Sequence, residues 1–128
     1  MILVDSSFFV GLADAKDRWH ADARRLRSRL RGTTVVSDLV LAEAVTILGA
    51  RRGGKAASVV GEFIQDNCRI EFLDAKSLSD VLREHLQYDG TLSVADAHAV
   101  WLMRSLGIRE ILSFDSDFDK VTGIRRVS

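Results

Sequence analysis

The sequence predicts an α/β fold: one domain over residues 1–128, with a mostly parallel sheet of four or five strands and helices on both faces. Three observations carry this reading. Short apolar runs of strand length alternate with longer stretches of helical periodicity, and strands covered on both faces read as such unbroken runs. Hydrophobic side chains make up 47% of 128 residues, enough for a single core that buries about two-thirds of the unfolded surface. There is no proline, repeat or low-complexity tract, and the lone glycine pair, Gly53-Gly54, reads as a turn between helices and not as a linker.

Taken in order, Ile2 to Val4 suits a buried central strand. Ser6 or Ser7 offers a cap for the helix that continues through Phe8, Phe9, Val10 and Leu12. An arginine-rich helix spans about Trp19 to Leu30, with Trp19, Ala23, Leu26 and Leu30 spaced to share its buried face. Thr33 to Val36 forms the second strand. Asp38 stands as an N-cap before the helix from Leu39 to Ala50, and Lys55 to Asn67 makes a fourth helix ahead of a strand at Ile70 to Leu73. From Lys76 to Tyr88, Leu78, Val81, Leu82 and Leu86 recur at helical spacing. The last helix runs from about Ser93 to Ser105 and stops at Gly107, a good C-terminal position. Ile111 to Phe114 is the fourth strand, and Ile124 to Val127 a short fifth.

Composition narrows the function classes. No run approaches the roughly 18 apolar residues of a membrane span, and the opening residues lack the basic start and long apolar centre of a signal peptide, so the expected location is the cytoplasm, with no membrane partner. The single Cys68 has no second cysteine to pair with and reads as a small core residue. Net charge is zero, but residues 16–55 hold ten Lys or Arg against four acids, leaving eight against fourteen elsewhere. A basic stripe beside an acidic remainder suits nucleic acid, although Arg24, Arg25, Arg27, Arg29 and Arg31 also read as the solvated face of an amphipathic helix.

Four acids, Asp5, Glu43, Asp96 and Asp115, stand where apolar segments end or are interrupted. Alone, each has a structural use. Asp5 would cap the first helix, Asp115 in Ser113-Phe114-Asp115-Ser116-Asp117 would make a turn, and Asp96, three residues after Ser93, has the spacing of a capping box. Glu43 lies in a helix apolar nearly all the way round, which is expected to be buried, and a buried carboxylate needs a partner, a proton or a metal. Ligands of parallel open sheets bind beyond the carboxyl ends of the strands, where Asp5 and Asp115 fall. Carboxylates gathered there repel by about 1 kcal/mol per pair at 4 Å in water and about 4 kcal/mol at an effective dielectric of 20. A hard divalent cation such as Mg2+ or Mn2+ is the expected counter-charge.

Val4-Asp5-Ser6-Ser7, Leu41-Ala42-Glu43, Leu92-Ser93-Val94-Ala95-Asp96-Ala97 and Leu112-Ser113-Phe114-Asp115-Ser116-Asp117-Phe118 resemble, over essentially the full length, the successive motifs of PIN-domain ribonucleases, and most nearly the VapC-type toxins of toxin–antitoxin pairs. The resemblance implies a single PIN-like domain in which Asp5, Glu43, Asp96 and Asp115 bind Mg2+ or Mn2+ and carry catalysis. Asp117 matches a frequent additional acid, and Ser6 and Ser113 match supporting hydroxyls. Asp38 departs from the pattern, since many relatives carry proline there.

By the same resemblance the activity is hydrolysis of phosphodiester bonds in single-stranded or looped RNA, leaving 5′-phosphate and 3′-hydroxyl ends. Implied partners are a small antitoxin, which also recognises promoter DNA, and a second copy of the chain. Arg24, Arg25, Arg27, Arg51, Arg52 and Lys55 are the expected phosphate contacts. His20, His85 and His98 share no metal-ligand spacing and read as structural, and Trp19 and Trp101 read as core. An RNA-processing enzyme that is not a toxin, or a domain that only binds RNA or protein, remains as an alternative. Phosphatase-like and receiver folds fit poorly: the first wants an acid two residues after Asp5, where Ser7 stands, and the second a lysine near Ser113 to Asp115.

Overall fold

The structure, a computed structural model, describes residues 1–128. Five strands form one parallel sheet in the order β3-β2-β1-β4-β5, where β1 is Ile2–Val4, β2 Thr34–Ser37, β3 Arg69–Glu71, β4 Glu110–Leu112 and β5 Arg125–Val127. The chain builds outward from β1 through β2 to β3, then crosses back to lay β4 on the other side of β1. The strand order therefore reverses between β1 and β4, and a crevice opens beyond their carboxyl ends.

Alternate residues of the strands point to opposite faces and divide the core in two. Ile2, Val4, Val36 and Leu112 join the cluster under α1 (Ser6–Ala13), α2 (His20–Leu26), α3 (Asp38–Arg52) and α4 (Gly54–Asn67). Leu3, Val35 and Ile111 join Val100 and Met103 of α6 (Val94–Leu106) on the other face, where α5 (Leu78–Gln87) packs against α6. The α/β sandwich with helices on both faces is thus as the sequence predicts.

Several local expectations are corrected. The arginine-rich helix is shorter at both ends: Trp19 is its N-cap, and Arg27–Leu30 tightens into a 3-10 turn. Asp5, and neither Ser6 nor Ser7, caps α1, its side chain accepting from the Ser7 amide. The cap of α3 is Ser37, whose hydroxyl accepts from the Val40 amide at 3.0 Å. Asp38 points instead across the sheet end, accepting from the Leu73 amide at 3.0 Å. The third strand lies earlier than Ile70 to Leu73 because β3 is an edge strand. It alternates charged and apolar residues as edges do, and Phe72 leaves it for solvent. Gly53 makes the α3–α4 turn at φ 87°, a region open to glycine.

Candidate active site

Local structure brings the four acids to one place. Asp5 leaves β1 and caps α1; Asp115 leaves β4 and caps the 3-10 turn Ser116–Lys120. Glu43 projects from the second turn of α3 and Asp96 from the first turn of α6. All four line one cavity of about 400 Å3, together with Ser6, Ser7, Val10, Asp17, Arg18, Trp19, Ile47, Arg51 and Ser93. The size is that of an ordinary ligand site.

Asp5 is the fixed point. The hydroxyls of Ser7 and Ser113 donate to its Oδ2 at 2.7 and 2.8 Å, and the Ser7 amide adds a longer bond at 3.4 Å. Each hydroxyl has one proton, spent on Asp5, so each acts only as acceptor elsewhere. Ser7 Oγ takes the Phe114 amide and Ser113 Oγ the Asp115 amide, both at 3.0 Å. The 3.3 Å approach of the two hydroxyls is therefore a contact without a proton to share. One carboxylate oxygen ties β1, α1 and the segment after β4 together, which leaves Oδ1 for the cavity.

Asp96 is held by a capping box. Its amide donates to Ser93 Oγ at 3.1 Å, and its Oδ2 accepts from the Ser93 amide at 3.4 Å. The structural use and the cavity position coexist, because a carboxylate has a second oxygen. Glu43 corrects an expectation: α3 buries only Val40, Ala44 and Leu48, and Glu43 stands exposed at the rim of the cavity.

The electrostatics follow from that crowding. Burial raises the Asp5 carboxyl above the usual range, with the hydrogen bonds from Ser7 and Ser113 pulling the other way. Burial first, then the charge of Asp5, pushes Asp96 up to about 7, against the bonds from Ser93. Glu43 is raised by desolvation, then by Asp5 and Asp115, with the Ser6 side chain opposing. The charges of Asp5 and Asp115 thus work against ionisation of Glu43 and Asp96, a repulsion that a bound cation would relieve.

Two guanidiniums stand in this cavity against five carboxylates, and Arg51 is already spent on Asp17 at 2.8 Å and Asp14 at 3.4 Å. The donor set is all oxygen, which fits Mg2+ or Mn2+. No three acidic, histidine or cysteine side chains close on one point unaided.

Other expected residues are placed as follows. Ser113 is buried beside Asp5, while Ser6 faces Glu43. Asp117 is absent from the cavity wall and pairs with Lys120 at 2.9 Å. Arg24, Arg25 and Arg27 rim a separate groove floored by Leu12, Leu30 and Phe63. Arg51 lines the acidic cavity, Arg52 is tied to Asp14 at 2.8 Å, and Lys55 is exposed in the first turn of α4. Sequence reasoning missed Ser7, Arg18 and the placement of Trp19 at the mouth of the cavity. For Ser7 a sign was present: a hydroxyl two residues after a capping Asp is well placed to return a bond to it.

Comparison with known proteins agrees with this geometry. Residues 2–124 match the family described as PIN domain. Over 120 residues the chain is 32% identical to the 23S rRNA-specific endonuclease VapC20 of Mycobacterium tuberculosis, in strains CDC 1551 / Oshkosh and ATCC 25618 / H37Rv, covering 92% of each protein. The crystal structure of Mycobacterium tuberculosis VapC20, described as a sarcin-ricin loop cleaving toxin, superposes with a TM-score of 0.87 at 30% identity, covering 94% of both chains.

Proposed function

Since the chain belongs to the PIN-domain family, we propose that it is an endoribonuclease toxin whose hydrolysis of RNA depends on Mg2+ or Mn2+ held by Asp5, Glu43, Asp96 and Asp115. The observation that carries the reading is the convergence of these four carboxylates, from four separate elements, on one under-neutralised cavity at the topological switch point. The name borne by its relatives makes a looped segment of ribosomal RNA the first substrate to try.

The bound cation would supply an acidified water and charge neutralisation on the phosphate. The chain's own residues do the rest. Ser7 and Ser113 fix the rotamer of Asp5 through Oδ2 and present Oδ1. Ser93 holds Asp96 by one oxygen and leaves the other to face the substrate. Asp96 or Glu43 at the rim accepts the proton of the attacking water. Water as nucleophile leaves 5′-phosphate and 3′-hydroxyl ends, so 2′,3′-cyclic ends would sink this mechanism.

A small antitoxin is the proposed partner, and the net-acidic cavity supports it, because an inserted Arg or Lys would compete with metal there. A second copy of the chain is proposed at the apolar face of α5. Action in the cytoplasm is proposed as well; no helix is long and apolar enough to cross a membrane.

The test is cleavage of a pool of structured RNAs, ribosomal loops included, with Mn2+, with chelator, and with Asp96→Asn. Cutting should require metal and fall by at least about a hundredfold in the variant. Equal cutting in all three would mean contamination and end the claim.

A further inference from the structure

A second cavity of about 580 Å3 adjoins the acidic one and shares three wall residues with it: Arg18, Trp19 and Asp115. Its remaining wall includes Arg25, Arg126, Asp22 and Phe114. Three guanidiniums against two carboxylates make this wall far richer in cationic side chains than its neighbour. A chain that alternates phosphates and aromatic rings would meet a cation site in one cavity and a basic wall in the next.

The side chains between the two cavities form a column. Phe8 stacks on Phe114 with centroids 6.3 Å apart, and Phe114 lies nearly parallel to Trp19, 5.1 Å away at 8°. The Arg18 guanidinium caps the outer end, 4.5 Å over the Trp19 ring. From buried Phe8 to exposed Arg18, the column runs from core to solvent.

Arg18 is also distinguished by what it lacks. Around this rim Arg51 is paired with Asp17, Arg25 with Asp22 and Arg126 with Asp119. Arg18 makes no ion pair or hydrogen bond; its one recorded interaction is with the indole. A pre-stacked, unpaired guanidinium plane is what an unstacked base rests on in single-stranded recognition. Arg126 is anchored both by a two-bond fork to Asp119 at 3.0 Å and by a bond to the Ser113 carbonyl. Its guanidinium is thereby held beside Asp115, in the same cavity wall as Trp19 and Phe114.

We propose that the Arg18–Trp19 stack is a nucleobase-binding subsite for the nucleotide adjoining the scissile phosphodiester of a single RNA strand, with Arg126 and Arg25 receiving its neighbouring phosphate. Arg18 supplies a planar face and not only a charge. The subsite rests on the nuclease reading for its purpose, but its occupation is measurable without cleavage.

The probe is a mixed-sequence single-stranded RNA dodecamer, titrated in chelator into the full chain carrying Trp101→Phe, so that Trp19 is the sole indole. Fluorescence of Trp19 should quench saturably, with binding roughly tenfold weaker in Arg18→Ala. Arg18→Lys, which keeps the charge without the plane, should weaken binding almost as much. If Trp101→Phe melts below the native chain, the native chain titrated against its Trp19→Phe variant isolates the same signal. Absent quenching, or Arg18→Ala and Arg18→Lys binding like the parent, overturns the subsite even if metal-dependent cutting is intact. Quenching with those losses in a chain that cuts no RNA upholds the subsite and overturns the nuclease. Under cleavage conditions Arg18→Ala should raise KM by a larger factor than it lowers kcat; a pure kcat loss would place Arg18 in the chemistry and refute a binding role.

Discussion

Asp96 links the acidic cavity to stability. Its carboxyl is pushed to about 7 in the fold, against 3.8 for a free aspartate side chain. Between those values the folded chain holds a proton that the unfolded chain has released, so stability falls as pH rises through this window, and more falls with Asp5 and Glu43, which are raised as well. Without metal, stability should fall from pH 5 to pH 8, by on the order of 2 kcal/mol from Asp96 after allowance for solvent screening, and the melting temperature should fall with it. Adding Mn2+ at pH 8 should restore it, because a ligand selective for the folded state must stabilise. Asp96→Asn should flatten the metal-free pH dependence and shrink the Mn2+ response. A melting curve indifferent to both pH and Mn2+ would deny that these carboxylates share a cation. Ser113→Ala, which frees Asp5 from one of its two hydroxyls, should weaken Mn2+ affinity about 10–100-fold while cutting still occurs at high metal concentration; isothermal titration would read it.

Helix α6 carries a second titrating group, on the side away from the carboxylates. His98 is wholly buried, neither ring nitrogen has a hydrogen-bond partner, and Asp38 Oδ1 is 3.9 Å from Nδ1. Burial lowers its pKa below the usual histidine value, with Asp38, Asp74 and Glu71 opposing. A depressed base is neutral in the fold while the unfolded chain takes up a proton below about pH 6.5, so this contribution to stability is lost as the medium is acidified. His98→Leu should remove that acid sensitivity and melt no lower than the native chain at pH 7, because an apolar group replaces an unpaired polar one; a fall of several degrees would mean that the ring holds a bond through water. His98 and Asp38 also show which parts of the fold were legible in the sequence. Helices α4 and α6 were readable because their periodicity, the Gly53 turn before α4 and the Gly107 stop after α6 are local properties. The capping box of Ser93 with Asp96 was readable for the same reason. Invisible were the results of long-range placement: Asp38 reaching Leu73, Glu43 rotated to a rim and not a core, β3 shifted by lying at the edge, and Trp19 drawn out of its helix to stack on Phe114, 95 positions away in sequence. The four acids were found because strand ends and helix starts are the points that a parallel sheet gathers; Ser7 and Arg18 were not, because their roles depend on what stands opposite.

The surface of the folded chain is uneven in a way that bears on assembly. Leu78, Leu82 and Leu86 repeat every four residues along α5 at 43%, 42% and 73% exposure. Three large apolar side chains along one helix form a stripe of the kind that marks an interface. Beside it Asp80 and Arg83 form an exposed ion pair at 3.0 Å, presenting both signs at once. A two-fold copy would set each sign against its opposite, as a self-complementary interface requires. The expected state is therefore a homodimer through α5, with the acidic cavities open, since no residue of α5 lines them. Size-exclusion chromatography with light scattering should give a dimer for the native chain and a monomer for Leu82→Glu combined with Leu86→Glu. Because both leucines are already solvent-facing in the single chain, that double variant should keep its helical circular dichroism and its Mn2+-induced rise in melting temperature. A native chain that stays monomeric at tens of micromolar, or a double variant that remains dimeric, would rule out α5 as the contact. A variant that became monomeric and also lost the Mn2+ response would mean that the second copy shapes the cation site from a distance.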